Sequence, residues 1–161
     1  MRIGVIVLPI LPWPEALPLY RRLEEIGVDT AWFYDHLVWR DFDMEPWQAT
    51  VPLMTAVAAS TERIRLGTLV ASANYRHPVT FAKELMTLDD VSGGRVTLGV
   101  GAGAASGWDP TALGQEPWSR RERTERFEEL VGHLDVLLSE PRTPELRGRW
   151  YTAVEARCLP G

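Results

Sequence analysis

Four short runs of apolar and β-branched residues recur along the chain at nearly constant spacing, and no other feature restricts its fold so tightly. They begin at Ile3, Thr30, Ile64 and Val96, so successive starts lie 27, 34 and 32 residues apart. Ile3 to Leu8 is closed by Pro9 and Pro12, the profile of a strand buried on both faces. Thr30 to Tyr34, Ile64 to Val70 and Val96 to Val100 read as three more strands. Helical stripes fill the intervals. Ala16, Leu19, Tyr20, Leu23 and Ile26 recur at helical spacing and end at Gly27, where a helix C-terminal glycine belongs. Trp47, Val51, Met54, Val57 and Ala58 make the second stripe. Pro78 opens a third, with Phe81, Ala82, Leu85 and Leu88 inward, because the first turn of a helix has no use for the missing N–H. Ser119 with Glu122 is a capping-box signature. Behind it Phe127, Leu130, Val131, Leu134, Leu137 and Leu138 predict a long amphipathic helix that ends before Pro141.

Each step holds one helix, so the chain reads as βα four times over. Such repeats demand a parallel sheet with right-handed crossovers, either an open doubly wound sheet or a barrel. An open dinucleotide-binding sheet carries G-x-G-x-x-G directly after its first strand. Here that strand runs into Leu8-Pro9-Ile10-Leu11-Pro12, and the glycine cluster of Gly99, Gly101, Gly103 and Gly107 follows the fourth strand instead. At the C-terminal rim of a barrel such glycines let backbone approach a ligand closely; a loop needing unusual dihedrals accounts for them as well.

Composition removes several classes. A chain of 161 residues can bury one core, and 45% hydrophobic with 24% charged residues excludes disorder along the whole chain. No apolar run is long enough to cross a bilayer. The formal net charge is −5 and the basic residues are dispersed apart from arginines after Trp118, which argues against nucleic-acid binding. Cys158 is the single cysteine and cannot form an internal disulfide; Gly4, Pro9 and Pro12 interrupt the apolar stretch after Arg2 before any signal-peptide cleavage pattern. A cytoplasmic location is therefore the expectation. Three scattered histidines and one cysteine lack ligand spacing, so no metal site is expected.

Several segments together resemble the luciferase-like oxidoreductase family, in particular its members that use the deazaflavin coenzyme F420. They are Gly27-Val28-Asp29-Thr30-Ala31-Trp32-Phe33-Tyr34-Asp35-His36, Arg63-Ile64-Arg65-Leu66-Gly67-Thr68, Tyr75-Arg76-His77-Pro78, and the run from Leu88 to Gly103 that contains Ser92-Gly93-Gly94-Arg95 and Gly99-Val100-Gly101-Ala102-Gly103. The resemblance implies the first half, four βα units, of a TIM (β/α)₈ barrel. Residues 1–161 then form one luciferase-like domain that stops before the fifth strand, near Leu159-Pro160-Gly161, with Gly148-Arg149-Trp150-Tyr151 similar to the family's short strand excursion. Such a barrel takes about 250 residues when complete.

The resemblance also implies site residues. Asp35 and His36 would lie at the barrel mouth beside the cofactor ring and act in catalysis, with Trp39 in the place of a family tryptophan. A histidine moves protons near neutral pH, and an adjacent carboxylate can fix its tautomer. Read without the resemblance, Asp35 is a strand-end cap and His36 a packed neighbour. Leu69, Val70, Ala71 and Ser72 match the family's bulge, where a non-proline cis peptide presses against the rear of the ring; as plain strand residues Leu69 and Val70 would be barrel core. Gly101, Ala102 and Gly103 would pass under the ring edge, their N–H groups facing the pyrimidine carbonyls. Ala104 stands where a glucose-6-phosphate dehydrogenase branch has a glutamate, which argues against that branch's sugar chemistry. His77 reads as a helix-entry residue and His133 as solvated surface. Trp13, Trp39, Trp108 and Trp118 suit an aromatic substrate wall, and Trp108 and Trp118 equally suit a dimer contact.

Three functions follow as expectations. The first is hydride transfer between coenzyme F420 and a small organic substrate, the second an FMN-dependent monooxygenase on the same fold. The third is a catalytically silent half-barrel that serves assembly. The expected partners are a small-molecule substrate and either a second copy or a second half-barrel, with no nucleic acid and no membrane.

Overall fold

The computed structural model describes residues 1–37, 39, 42, 44–104 and 108–159, so Gly107, Pro160 and Gly161 lie outside the described residues. In chain order the first elements are β1 (Gly4–Ile6), α1 (Trp13–Glu25), β2 (Thr30–Phe33), α2 (Thr50–Ala58), β3 (Arg65–Thr68), β4 (Ala71–Ser72) and α3 (Pro78–Ser92). Then come β5 (Val96–Thr97), β6 (Val100–Gly101), α4 (Trp108–Ala112), α5 (Arg120–Ser139), β7 (Arg142–Arg147) and β8 (Thr152–Arg157). They form two compact units, Met1–Ala71 with Leu88–Gly99 and Ser72–Thr87 with Val100–Gly161.

The first unit contains a parallel sheet with strands in the order β1-β2-β3-β5. Strand order follows chain order, as right-handed βα repeats require. Side chains alternate across the sheet. Val5, Ala31, Leu66 and Val96 share one row of the register, and with Phe33 they pack against Tyr20, Leu23, Leu53, Met54, Val57 and Leu88 from the helices. On the other face the Trp32 indole spreads across its neighbours: a Cβ on Gly4 or Gly67 would lie 2.2 or 2.3 Å from that ring. One large side chain thus fills the space that glycines on the flanking strands vacate.

Two polar anchors fix the turns beneath this sheet. The Glu24 carboxylate at the end of α1 accepts the N–H groups of Glu62, Arg63 and Ile64, which orients the entry to β3. Arg95 donates to the carbonyls of Ala58, Thr61 and Ile64 and to the Thr61 hydroxyl, tying the turn before β5 to the end of α2. Gly27, at φ 82°, terminates α1 in the left-handed conformation that its sequence position predicts.

The second unit is organised by α5. The Ser119 hydroxyl accepts the Glu122 N–H while the Glu122 carboxylate accepts the Ser119 N–H, the reciprocal cap expected from the sequence. Strands β7 and β8 pair antiparallel, from Arg142 opposite Arg157 to Arg147 opposite Thr152. The sequence reading expected only a short excursion at Gly148–Tyr151; these residues are instead the turn of a full hairpin. The Glu129 carboxylate on α5 accepts the N–H groups of Arg149, Trp150 and Tyr151 and so fixes that turn. Gly148 leaves room for this carboxylate, because a Cβ there would meet the Glu129 side-chain end at 2.0 Å and displace it.

The other departures are local. Strands are shorter than their apolar runs, and the fourth run breaks into β5 and β6 around Leu98-Gly99. The Thr68 hydroxyl donates to the Gly99 carbonyl and accepts the Gly99 N–H, and a Cβ on Gly99 would approach the Thr68 carbonyl oxygen to 2.4 Å. Close approach here takes the place of a continuous ladder. His133, expected at the surface, is only 9% exposed, because it packs with Tyr151 of the hairpin.

Candidate functional site

In the first unit, the ends of β2 and β3 carry five of the expected residues. The loop after β2 is held from the start of α2: Thr50 Oγ1 donates to the Tyr34 carbonyl at 2.9 Å and Trp47 Nε1 donates to the His36 carbonyl at 2.8 Å. Trp47 therefore precedes its helix and serves as a loop anchor instead of continuing the apolar stripe. Asp35 is fully buried and His36 half-buried. The His36 ring lies 4.5 Å from that of Trp39, and Trp39 lies 5.5 Å from Tyr34. This places a histidine and an aromatic group side by side at a strand's C-terminal end, where parallel αβ barrels assemble their chemistry.

Beyond β3, the Leu69–Val70 peptide is cis. The Leu69 N–H donates to the Phe33 carbonyl at 2.8 Å and the Ala71 N–H to the Gly99 carbonyl at 2.7 Å, so backbone on either side of this peptide is fixed. Leu69 and Val70 are 43% and 38% exposed, whereas Ala71 is buried. Leu69 and Val70 lie past Thr68, the last paired residue of β3, and present apolar surface in this chain.

The second unit carries Gly101, Ala102 and Gly103. The Gly101 carbonyl accepts the Ala73 N–H at 3.2 Å. Gly103 adopts φ 77°, and a Cβ there would lie 2.2 Å from the Asn74 side chain, so only glycine fits. Ala104 follows in an exposed position. The Gly103 carbonyl accepts Arg123 Nη1 at 2.6 Å, a contact across 20 residues that the sequence reading missed. Arg126 was missed as well. It donates to the Ala73 carbonyl and lies over the rings of Trp118, Tyr151 and Trp150 at 4.4, 5.2 and 5.5 Å. Their signal in the sequence was two arginines three apart behind the helix cap, on one face at that spacing.

Other candidates take structural places. The His77 ring accepts the Val79 N–H at the start of α3, as a helix-entry residue should. Trp13 packs against the core of the first unit, Trp118 meets Trp150 edge-on at 5.3 Å, and Trp108 is 43% exposed. Among the described residues no helix is long and apolar enough to cross a membrane.

Residues 1–161 match the luciferase-like monooxygenase family. The chain is 36% identical over 142 residues to an F420-dependent glucose-6-phosphate dehydrogenase of Beutenbergia cavernae, covering 83% of this chain and 39% of that protein. It is 35% identical over 142 residues to a 4-hydroxyprotoasukamycin monooxygenase of Streptomyces nodosus subsp. asukaensis, covering 81% and 36%. Its fold matches a monooxygenase, RslO1, of Streptomyces bottropensis with a TM-score of 0.84 at 25% identity, over 99% of this chain and 49% of that one, and an F420-dependent secondary alcohol dehydrogenase with a TM-score of 0.87 at 24% identity, over 98% and 48%. The chain thus spans about two-fifths of the length of the curated relatives it matches. With its parallel strands in chain order and this match along its whole length, the chain belongs to the luciferase-like monooxygenase family and has the fold of the first half of that family's barrel.

Proposed function

We propose that the protein carrying this chain is an oxidoreductase that passes a hydride between coenzyme F420 and a small organic substrate. The observation that carries the reading is the end of β2, where a fully buried Asp35 precedes a half-buried His36 packed on Trp39. His36 handles the proton that accompanies hydride transfer, and Asp35 keeps the histidine loop in place. Leu69 and Val70 offer exposed apolar side chains suited to the face of a flat ring. Gly101, Ala102 and Gly103 offer backbone N–H groups, with Gly103 in the left-handed conformation against Asn74. Within each unit these residues suit a deazaflavin, which when bound would supply the hydride donor or acceptor. The protein's share is to cover one face of the ring, exclude water and present the substrate on the other.

The similarity to a monooxygenase supports a second reading, in which the same residues hold FMN. A third is an assembly role without catalysis, for which the exposed Ile3 and Ile6 at the outer strand β1 offer apolar surface. Fluorescence titration of the purified protein with F420 and with FMN separates them. Tight binding of F420 with weak binding of FMN is the expected result. Preference for FMN would replace the first reading with the second, and binding of neither would leave the third.

A further inference from the structure

Within the second unit, six of the arginines contrast in where they turn. Arg121 and Arg149 both reach the Glu125 carboxylate, Arg142 pairs with Glu155 and Arg147 with Glu145. These are surface ion pairs, which contribute little. Arg123 and Arg126 instead turn inward to main-chain carbonyls, at Gly103 and at Ala73. Both carbonyls belong to backbone that is itself joined, through the Ala73 N–H donating to Gly101. The 73–74 segment is further braced by the Tyr151 hydroxyl, which donates to the Ala73 carbonyl at 3.1 Å.

Asn74 is 2% exposed, and among the described residues Arg123 Nε, Arg126 Nε and Asn74 Oδ1 have no hydrogen-bond partner. Gly103 is held from several sides. Its φ is left-handed, the Asn74 amide closes off the space at its Cα, and Arg123 holds its carbonyl at 2.6 Å. Three constraints on a single residue fix the direction of the peptide groups on either side of it.

We infer that Arg123 is a positioning residue for the cofactor: by holding the Gly103 carbonyl against the Asn74 wall, it sets the direction in which the Gly101–Ala102–Gly103 backbone presents its N–H groups to the ring's pyrimidine edge. The inference rests on the functional reading above, which puts that backbone at the ring. Arg123 does not touch the ring. It acts through one carbonyl, and its loss frees the peptide to rotate and weakens the bonds that the N–H groups make.

The test uses Arg123→Ala, Arg123→Lys and, as a charge control, Arg120→Ala in the protein carrying this chain. Each is titrated with F420 and FMN by fluorescence, and thermal unfolding is recorded. Arg123→Ala is expected to raise the Kd of the preferred cofactor about tenfold, the size of one lost charge-assisted hydrogen bond. Lysine, which lacks the planar fork, is expected to lose roughly threefold. Added guanidinium ion should restore affinity to Arg123→Ala and leave Arg120→Ala unaffected, which a general loosening of the fold would not produce. An unchanged Kd in Arg123→Ala, or a raised Kd that guanidinium does not rescue, overturns the inference while the functional reading stands. Should the alanine variant unfold, an unchanged Kd in Arg123→Lys overturns it equally. A wild-type protein that binds neither cofactor removes the functional reading and this inference together.

Discussion

His36 and Gly103 are the residues at which the functional reading is most exposed to test. A positioned proton carrier contributes about 10² to 10⁴ in rate, while one contact among many to a large cofactor contributes modestly to affinity. His36→Ala should therefore lower kcat by a factor in that range, with cofactor Kd raised only a few-fold by comparison. Asp35→Asn should give a smaller loss of the same kind, since it disturbs the histidine's setting and leaves the carrier in place. Steady-state kinetics beside a cofactor titration decides this: turnover near wild type in His36→Ala, with cofactor bound, would make His36 a packing residue. Gly103 makes the opposite prediction. Its φ of 77° and the Asn74 side chain 2.2 Å from a would-be Cβ make Gly103→Ala both strained and crowded. A left-handed non-glycine residue costs about 1–2 kcal/mol, so the melting temperature should fall and cofactor affinity with it. An alanine variant as stable as wild type and equally tight for cofactor would contradict the account given for this glycine.

At the scale of elements, the same device appears once in each unit. A glutamate near the end or middle of a helix accepts three consecutive N–H groups in the turn before a strand: Glu24 at Glu62–Ile64, and Glu129 at Arg149–Tyr151. For Glu24 partial burial works against ionisation, but the three N–H groups outweigh it and hold the carboxyl below its ordinary value of 4.5. The folded pKa lies below the unfolded one, so the stabilisation is complete above the unfolded pKa and is lost as pH falls through the folded one. Glu24→Gln keeps the shape and removes the charge. Denaturant unfolding from about pH 6 to about pH 3 should show wild type more stable at the upper end, with the difference shrinking as Glu24 takes up its proton. A difference that stays constant across that range would mean that charge on Glu24 plays no part in fixing the entry to β3.

For the molecule as a whole, the first unit leaves much apolar surface uncovered. β1 is an outer strand of its sheet, and beside it Val5, Ile6, Val7, Leu8, Ile10, Leu11, Leu19 and Leu23 line an apolar groove of about 320 Å³. Ile3 and Ile6 are 52% and 41% exposed. An outer strand with unpaired N–H and C=O groups next to an apolar groove is a template for association. The 161-residue chain, expressed by itself, should therefore self-associate, with sedimentation velocity shifting to larger species as concentration rises through the micromolar range. A compact monomer at every concentration would show that this surface is better covered than its exposure indicates.

The four βα steps, the parallel order of β1, β2, β3 and β5, the end of α1 at Gly27 and the cap at Ser119 were all legible in the sequence. Each depends on residues close together in the chain, through periodicity, a glycine's dihedral freedom or a cap three residues long. The site was legible only in part. Asp35, His36, Leu69, Val70, Ala71, Gly101, Ala102 and Gly103 came from family motifs, and it took the tertiary structure to bury Asp35, expose Leu69 and Val70, and wall Gly103 with Asn74. Periodicity also misjudged Leu19, Ile26, Val131 and Leu138, which are exposed by 38, 58, 40 and 40% despite their helical spacing, because a stripe's edge is buried only where another element covers it. The burial of His133 and the full length of the β7–β8 hairpin left no local mark, and the three-residue spacing of Arg123 and Arg126 put them on one face without saying that this face turns inward. Their partners lie far along the chain, 20 residues from Arg123 to Gly103 and 53 from Arg126 to Ala73, and a side chain's choice between water and a distant carbonyl is made only when folding brings that carbonyl within reach.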